Sequence, residues 1–328
     1  MRPLLIFCAL LLTATLSAAE PVRIFFDTDM ETDCDDAAAL GLLHVLANQK
    51  ECQILATVVS VRDPNSAATV DAINRAYGRP ALPVGMVKGT EGVLEKSAYA
   101  AKIAAEFPNR FLPGVEVPDA VAIYRDVLQK QPDHSVTIVT VGYLTNLRHL
   151  LALPAGGEHP SGRDLIRAKV VRWVCMGGNF IGDPPHDDLK LGNVNFQRDA
   201  ASALAVIPHW PGEVNFAGRE VCSVPSGVTL GTGLAKLPAT HPVRRAYEFY
   251  FGGKLKNRHV ADIATVLYAV RGARDYWDVS TPGTMDLHPD MTFDWKPSPE
   301  GKQTYLKKKE PKNDREIEKV LEELLVGK

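Results

Sequence analysis

Apolar, strand-like stretches alternate with helix-like segments along most of this 328-residue chain. The predicted strands are 22–26, 54–61, 82–85, 136–141, 170–176 and 214–217, and the main predicted helices are 37–47, 67–77, 117–130, 144–151, 199–207, 242–251 and 262–270. Strands that are apolar throughout, such as 136–141 (Val-Thr-Ile-Val-Thr-Val), are typical of parallel sheets with both faces covered. We therefore predict an α/β fold, with an open, mostly parallel Rossmann-like sheet and helices on both faces.

The composition is that of an ordinary globular protein, with 45% hydrophobic and 23% charged residues. Neither an internal repeat nor a low-complexity linker divides the chain, so we expect one domain over 20–328. In its tail, 314–325 has the pattern of a charged amphipathic helix and is interpreted as peripheral. The net charge of −2 provides no basic surface for nucleic acid or for an anionic membrane.

The first residues have the three parts of a secretory signal peptide. Arg2 supplies a positive charge, an apolar run follows, and Ser17-Ala18-Ala19 provides small residues for cleavage. The apolar part is short compared with the roughly 20 residues of a membrane span. We expect a signal peptide over 1–19, a periplasmic or extracellular protein, and no membrane attachment after cleavage.

Four cysteines remain after this segment, namely Cys34, Cys52, Cys175 and Cys222. Their spacing forms neither a CxxC pair nor a zinc-binding pattern. Buried free thiols are the simplest interpretation. An exported protein can also oxidise a pair of cysteines, and the sequence leaves the choice of pair open.

An acidic turn, residues 27–36, follows the first predicted strand directly and contains five aspartates and one glutamate. Open α/β sheets bind ligands at the carboxyl ends of their strands. Carboxylate oxygens are the ligands that calcium and magnesium prefer, so this turn is a candidate metal site. The alternative is a solvated loop that caps the following helix.

Within this turn, Asp27-Thr28-Asp29 followed by Asp35-Asp36 resembles the opening signature of the inosine–uridine preferring nucleoside hydrolases, usually Asp-Thr-Asp-Pro-Gly-x-Asp-Asp. The gap is two residues longer here, as in an exported bacterial branch of that family. Further segments resemble family blocks in the same order: 139–147, 176–178, 193–199 and 262–270. The resemblance extends from about residue 22 to about residue 275, and the tail is also similar to the exported branch.

This resemblance implies a calcium ion as the cofactor. Its expected ligands are the carboxylates of Asp29, Asp36 and Asp262 and the backbone carbonyl of Val141. The implied reaction is hydrolysis of the N-glycosidic bond of a ribonucleoside to free base and ribose. Asp29 is the implied general base, which activates a metal-bound water.

The implied substrate-binding residues are Asp35, Asn193 and Asn195, and two positions depart from the family. Asn193 stands where the family usually has Glu. Ala261 stands where several members have a His that helps the base to leave, and His259 lies two residues upstream. A hydrogen-bonded (satisfied) or solvated histidine is the preferred interpretation of His259.

Other candidate sites have simpler interpretations. His44 is expected to be a packed residue of the first helix. The sequences GxxxxGK[ST], HExxH and GxSxG do not occur, so P-loop, zincin and α/β-hydrolase chemistry have no support. The polar loop 182–188 is interpreted either as a surface loop or as part of the pocket wall or its lid.

The expected partner is a small molecule, a ribonucleoside or another riboside, in nucleoside catabolism. The resemblance also implies a homo-oligomer, either a dimer or a tetramer. Asn193 and Ala261 keep open a non-catalytic, calcium-dependent riboside-binding protein. The pair Asp27-x-Asp29 after an apolar strand suggests, as a further alternative, a phosphatase of the haloacid dehalogenase type. Glu31 argues against it, because that class usually has Thr or Val there.

Overall fold

The structure, a computed structural model, describes residues 20–31, 33–94, 96–157, 159–182, 185–186, 193–223, 227–309 and 312–327. The predicted signal peptide, 1–19, and most of the loop 182–188 lie outside the described residues. Across the part of the chain that is described, no helix combines the length and the apolar character needed to cross a membrane.

The strands are β1 (Val22–Thr28), β2 (Cys52–Val59), β3 (Val84–Met86), β4 (Val136–Thr140), β5 (Val170–Met176), β6 (Ile181–Gly182), β7 (Pro185–His186), β8 (Val214–Ala217), β9 (Thr229–Leu230), β10 (Arg258–His259), β11 (Trp277–Val279), β12 (Gly283–Leu287), β13 (Phe293–Pro297) and β14 (Gln303–Lys308). The helices are α1 (Asp35–Asn48), α2 (Pro64–Ala76), α3 (Ala100–Glu106), α4 (Ala120–Leu128), α5 (Thr145–Ala152), α6 (Gly162–Lys169), α7 (Val194–Arg198), α8 (Ala200–Val206), α9 (Arg219–Cys222), α10 (Pro242–Tyr250), α11 (Ala261–Arg271) and α12 (Lys312–Val326). Two 3₁₀ turns, Ile207–His209 and Thr232–Lys236, complete the set.

Most strands join one sheet, in the order β3-β2-β1-β4-β5-β8-β14-β12-β13-β7-β6. From β3 to β14 every neighbouring pair is parallel, whereas the pairs from β14 to β6 are antiparallel. The predicted fold class, an open and mostly parallel sheet with helices on both faces, is confirmed.

Alternation along the central strands produces two cores, one on each face of the sheet. Ile24 and Phe26 of β1 belong to one core, and Phe25 between them belongs to the other. Successive side chains of a strand point to opposite faces, so a strand that is buried on both sides must be apolar at nearly every position. This is the pattern that predicted the sheet.

The predicted strands 170–176 and 214–217 match β5 and β8 at both ends. The antiparallel part of the sheet was not predicted, because its strands are short and mix exposed polar with buried apolar residues. Strand β13 illustrates this: Phe293 and Trp295 are buried while the residues between and after them are exposed. The first helix, α1, begins at Asp35, two residues before its predicted start.

The tail helix α12 is more than a peripheral element, which corrects the prediction for 314–325. Its side chains Ile317, Leu321 and Leu325 are buried in the same core as α1. Their spacing of four residues places them on one face of the helix. Because the other face of the helix is charged, its sequence pattern resembles that of a peripheral helix.

Three of the cysteines, Cys34, Cys52 and Cys175, are buried free thiols. Burial raises the pKa of the Cys52 and Cys175 thiols to about 12. They therefore act as small packing groups, in agreement with the simplest interpretation. The side chain of Cys222 is not among those that the structure describes.

Strand order reverses between β1 and β4, since the chain adds β2 and β3 on one side of β1 and β4 on the other. Such a switch point opens a crevice at the carboxyl ends of the two strands. Gly142, just after β4, lets the chain approach the end of β1 closely. A Cβ atom at Gly142 would lie 2.4 Å from the backbone nitrogen of Asp29 and 2.9 Å from Ser60 Oγ.

We expect Gly142→Ala to lower the free energy of unfolding by at least about 2 kcal/mol, because the new methyl group would displace the backbone at Asp29. The matched control is Gly156→Ala, where a Cβ atom meets nothing within 4 Å and the effect should stay below about 0.5 kcal/mol. Urea denaturation measures both. Equal stabilities for the two variants would contradict the close approach.

His44 is a packed residue of α1, as predicted. Its Nε2 lies 2.8 Å from Asn74 Oδ1, and Arg79 Nη1 lies 3.2 Å from its Nδ1. An arginine can only donate, so Nδ1 accepts and Nε2–H donates to Asn74. Burial, together with the charge of Arg79, lowers the pKa of His44 from 6.5 to about 3.

This pKa makes the fold sensitive to acid. Between about pH 6.5 and 3 the unfolded chain binds a proton at His44 that the folded chain excludes, so stability is full above this range and falls as the pH decreases. From pH 7 to 4.5 we expect His44 to contribute a loss of about 2 kcal/mol. His44→Gln should flatten the measured pH dependence by that amount, whereas His209→Gln, at an exposed position, should preserve it. An unchanged slope in His44→Gln would contradict this account.

Candidate active site

The acidic turn folds back over the start of α1. Met30 has a left-handed backbone, with φ of 49°, and its nitrogen donates to Thr28 Oγ1 at 3.1 Å and to Asp36 Oδ1 at 3.2 Å. The hydroxyl of Thr28 donates to the same Asp36 oxygen. These bonds place the carboxylates of the turn at the switch point between β1 and β4.

Asp27 lies beneath the turn and acts as its support. Its carboxylate accepts from Tyr124 Oη at 2.9 Å and from Asn146 Nδ2 at 3.0 Å, and that same nitrogen donates to the carbonyl of Val59 at 3.1 Å. Burial raises the pKa of Asp27 to about 8, although both hydrogen bonds favour the charged form. Asp27 therefore ties β1 to β2, α4 and α5.

The carboxylates of Asp35, Asp36 and Asp262 form a group whose ligand oxygens all lie within 4.8 Å of one another. Asp262 is in the first turn of α11, and its backbone nitrogen donates to Asp35 Oδ2 at 3.2 Å. Asp29 lies beside Asp36, and its charge raises the pKa of the Asp36 carboxyl group. The compact set thus contains Asp35, a predicted sugar ligand, beside the predicted metal ligands.

Burial is the main reason why the pKa values of these carboxyl groups are raised. The pKa of Asp29 rises to about 7, and those of Asp35, Asp36 and Asp262 rise well above the usual range. Repulsion between the neighbouring carboxylates adds to each shift. A hard divalent cation would offset both effects, and carboxylate oxygens with a backbone carbonyl nearby are a donor set that suits calcium.

A cavity of about 370 Å³ opens above these groups. It is lined by all seven predicted site residues, namely Asp29, Asp35, Asp36, Val141, Asn193, Asn195 and Asp262. The structure therefore brings together residues that are spread over more than two hundred positions. Their separate chemical roles stay predictions.

The two asparagines have different contacts. Asn195 Nδ2 donates to the carbonyl of Val141 at 3.0 Å, so it fixes the orientation of a predicted metal ligand. Asn193 is the N-cap of α7, and its Oδ1 accepts from the nitrogen of Phe196 at 3.0 Å. Asn is among the best N-cap residues, which gives Asn193 a local role that the predicted sugar contact did not include.

Several cavity residues were not singled out in the sequence. Asp33 forms an ion pair of 2.5 Å with Arg258, 225 residues away, and this pair joins the acidic turn to β10. Arg198 and Arg219 also line the cavity. Asp33 lies in the acidic turn, so its position was a usable signal. Isolated arginines at three distant positions carry no such signal.

His259 also lines the cavity, and so does Ala261. The Nδ1 atom of His259 is buried and has no hydrogen-bond partner among the described residues. Burial lowers the pKa of His259, and the charges of Arg258 and Arg219 lower it further. The described part of the structure therefore shows no satisfied histidine at Nδ1, and the role of His259 stays a prediction.

The amino-acid sequence matches the profile of the family described as inosine-uridine preferring nucleoside hydrolase over residues 24–320. No curated protein sequence matches the chain. The family profile, which covers most of the chain, supports hydrolysis of an N-glycosidic bond and gives no support to a haloacid dehalogenase-type phosphatase.

Solved structures show the same fold. An inosine-guanosine nucleoside hydrolase is 18% identical, with a TM-score of 0.67 over 92% of this chain and 98% of its own. A purine-preferring ribonucleoside hydrolase from Gardnerella vaginalis is 15% identical, with a TM-score of 0.66 over 93% and 99%. The type III effector protein XopQ, complexed with adenosine diphosphate ribose, is 16% identical, with a TM-score of 0.65 over 94% and 93%.

The arrangement of the carboxylates at the β1–β4 switch point and the match over residues 24–320 agree with each other. The chain belongs to the inosine-uridine preferring nucleoside hydrolase family and is an N-glycosyl hydrolase with a candidate metal centre of clustered aspartates.

Proposed function

We propose that this protein is a calcium-dependent ribonucleoside hydrolase that releases free base and ribose. The observation that carries the proposal is the buried group of Asp35, Asp36 and Asp262 within 4.8 Å, with Asp29 beside Asp36. Carboxylates so close and so deeply buried need a cation to remain ionised. The family match supplies the reaction class.

Calcium bound there would act as a Lewis acid on water and would hold the vicinal hydroxyls of a ribose. The proposed ligands are Asp29, Asp36 and Asp262 with the carbonyl of Val141. Because the ligand oxygens of Asp35, Asp36 and Asp262 lie within 4.8 Å of one another, the carboxylate of Asp35 can contact either the ion or a sugar hydroxyl.

Asp29 is the proposed general base, which accepts a proton from the attacking water. The carboxyl group of Asp29 is buried beside those of Glu31, Asp35 and Asp36, and a bound cation would keep it ionised and able to accept that proton. Asn195 donates to the Val141 carbonyl through Nδ2, which leaves Asn195 Oδ1 to accept from a sugar hydroxyl. The side-chain oxygen of Asn193 caps α7, and its amide N–H groups are the donors proposed for the substrate.

The first experiment incubates the protein with purine and pyrimidine ribonucleosides and calcium and measures free base and ribose. We expect turnover that chelation abolishes and that Asp29→Ala reduces about 10²- to 10⁴-fold in kcat, as for the loss of a general base. Asp126→Ala, at an exposed carboxylate on α4, is the control. Tight riboside binding without turnover would instead support the non-catalytic alternative.

His259 is the proposed proton donor to the leaving base, since its ring lines the cavity. His259→Gln should lower kcat about 10²-fold for a nucleoside, whose base needs a proton to leave. With 4-nitrophenyl riboside, whose leaving group needs no proton, the same variant should retain activity. His134→Gln, at an exposed position, is the matched control. Equal losses on both substrates would contradict the role.

A further inference from the structure

The cavity lining contains two chemically different groups of side chains. Carboxylates come from Asp29, Asp33, Asp35, Asp36 and Asp262. Basic side chains come from Arg198, Arg219, Arg258 and His259. The arginines come from α7, α9 and β10, which are separate elements that converge only in the folded chain.

These two groups of side chains also differ in their exposure to solvent. The exposed fraction is 2% for Asp29, 3% for Asp35, 1% for Asp36 and 6% for Asp262. Arg219 and Arg258 are half-buried, and Arg198 is exposed. The carboxylates therefore form the floor of the cavity, and the guanidinium groups lie toward its mouth.

Arg258 has a clear structural function, because its ion pair with Asp33 joins the acidic turn to β10. Arg219 lies close enough to His259 for its charge to lower the pKa of that ring. Arg198 and Arg219 also have protein partners. A guanidinium group carries five N–H donors, so a protein partner and a ligand can be bound together.

An uncharged nucleoside offers no ionic partner to guanidinium groups at the mouth. Phosphate and carboxylate groups do, since the planar guanidinium group binds both through paired hydrogen bonds. We propose that the preferred substrates are ribosides that carry an anionic group, with the ribose hydroxyls at the carboxylate floor and the anion at Arg219 and Arg198. The ribose end of this inference rests on the proposed function.

The competing explanation is that the arginines only balance the aspartates. Arg258 provides such balance directly, through its ion pair with Asp33 at 2.5 Å. Substitution of a balancing arginine would weaken the site for all ribosides equally. Substitution of an anion-binding arginine would change the ratio between charged and uncharged ribosides, so this ratio separates the two explanations.

The experiment measures kcat/KM of the calcium-loaded protein for uridine and inosine, for their 5′-monophosphates, and for orotidine, whose carboxylate is on the base. We expect at least one anionic riboside to exceed its uncharged counterpart by at least about tenfold, and the arm that does so identifies phosphate or carboxylate as the group bound. The preference should decrease as sodium chloride rises from 0.05 to 0.5 M.

Arg219→Gln should bring this ratio close to one, and Arg219→Lys should retain part of it, because a lysine keeps the charge but loses the paired geometry. The matched control is Arg167→Gln on α6, an exposed arginine outside the cavity lining, which should keep the wild-type ratio. Equal kcat/KM values for charged and uncharged ribosides, or a ratio unchanged in Arg219→Gln, would overturn the proposal.

A second readout keeps this test separate from the proposed function. If none of the five ribosides is hydrolysed, the proposed function fails, and calorimetry of ribose 5-phosphate against ribose with the calcium-loaded protein then decides the inference. Binding of the phosphate at least about tenfold tighter, reduced in Arg219→Gln, supports an anion site. Equal affinities for ribose 5-phosphate and ribose would exclude an anion site.

Discussion

Repulsion among buried carboxyl groups at the end of β1 is the constraint on which the rest of this structure depends. Asp29, Asp35, Asp36 and Asp262 are almost inaccessible to solvent, and burial raises the pKa of each. Part of the compensation is local, since Asp35 and Asp36 lie in the first turn of α1, where a helix favours negative charge. The remaining repulsion makes this group of carboxylates a candidate site for a cation.

Sheet topology explains why these groups meet. The order of strands reverses between β1 and β4, so the acidic turn and Val141 face the same crevice. Asp27 anchors the turn from below through Tyr124 and Asn146, and Gly142 permits close approach from the side. The elements that build the core are therefore the same ones that position the site.

The chemistry of the cavity is graded from floor to mouth. The carboxylates and the Val141 carbonyl line the same cavity as Arg219, Arg198 and the ring of His259. The proposed orientation of a riboside, with its sugar at the carboxylates and its other end at the arginines, follows from this distribution of charge. Asn193 also lines the cavity, and its side chain caps α7.

The parallel sheet could be predicted because its signal is local. Strands such as β5 and β8 are buried on both sides, which makes them apolar without interruption and fixes both ends. The antiparallel strands of 277–308 and the docking of α12 could not be predicted from the sequence. Their exposed polar residues mask a buried face, and the burial of that face depends on distant partners.

The same distinction holds for the site. The acidic turn by itself, through its density of charge after an apolar strand, predicted a metal site at the end of that strand. The family resemblance added the individual residues Asp29, Asp36, Val141, Asn195 and Asp262. Only the tertiary structure decided that Asp33 pairs with Arg258 and that the arginines share a cavity with the aspartates. The physical reason is that such contacts join residues far apart in the chain, and no periodicity or local charge pattern records them.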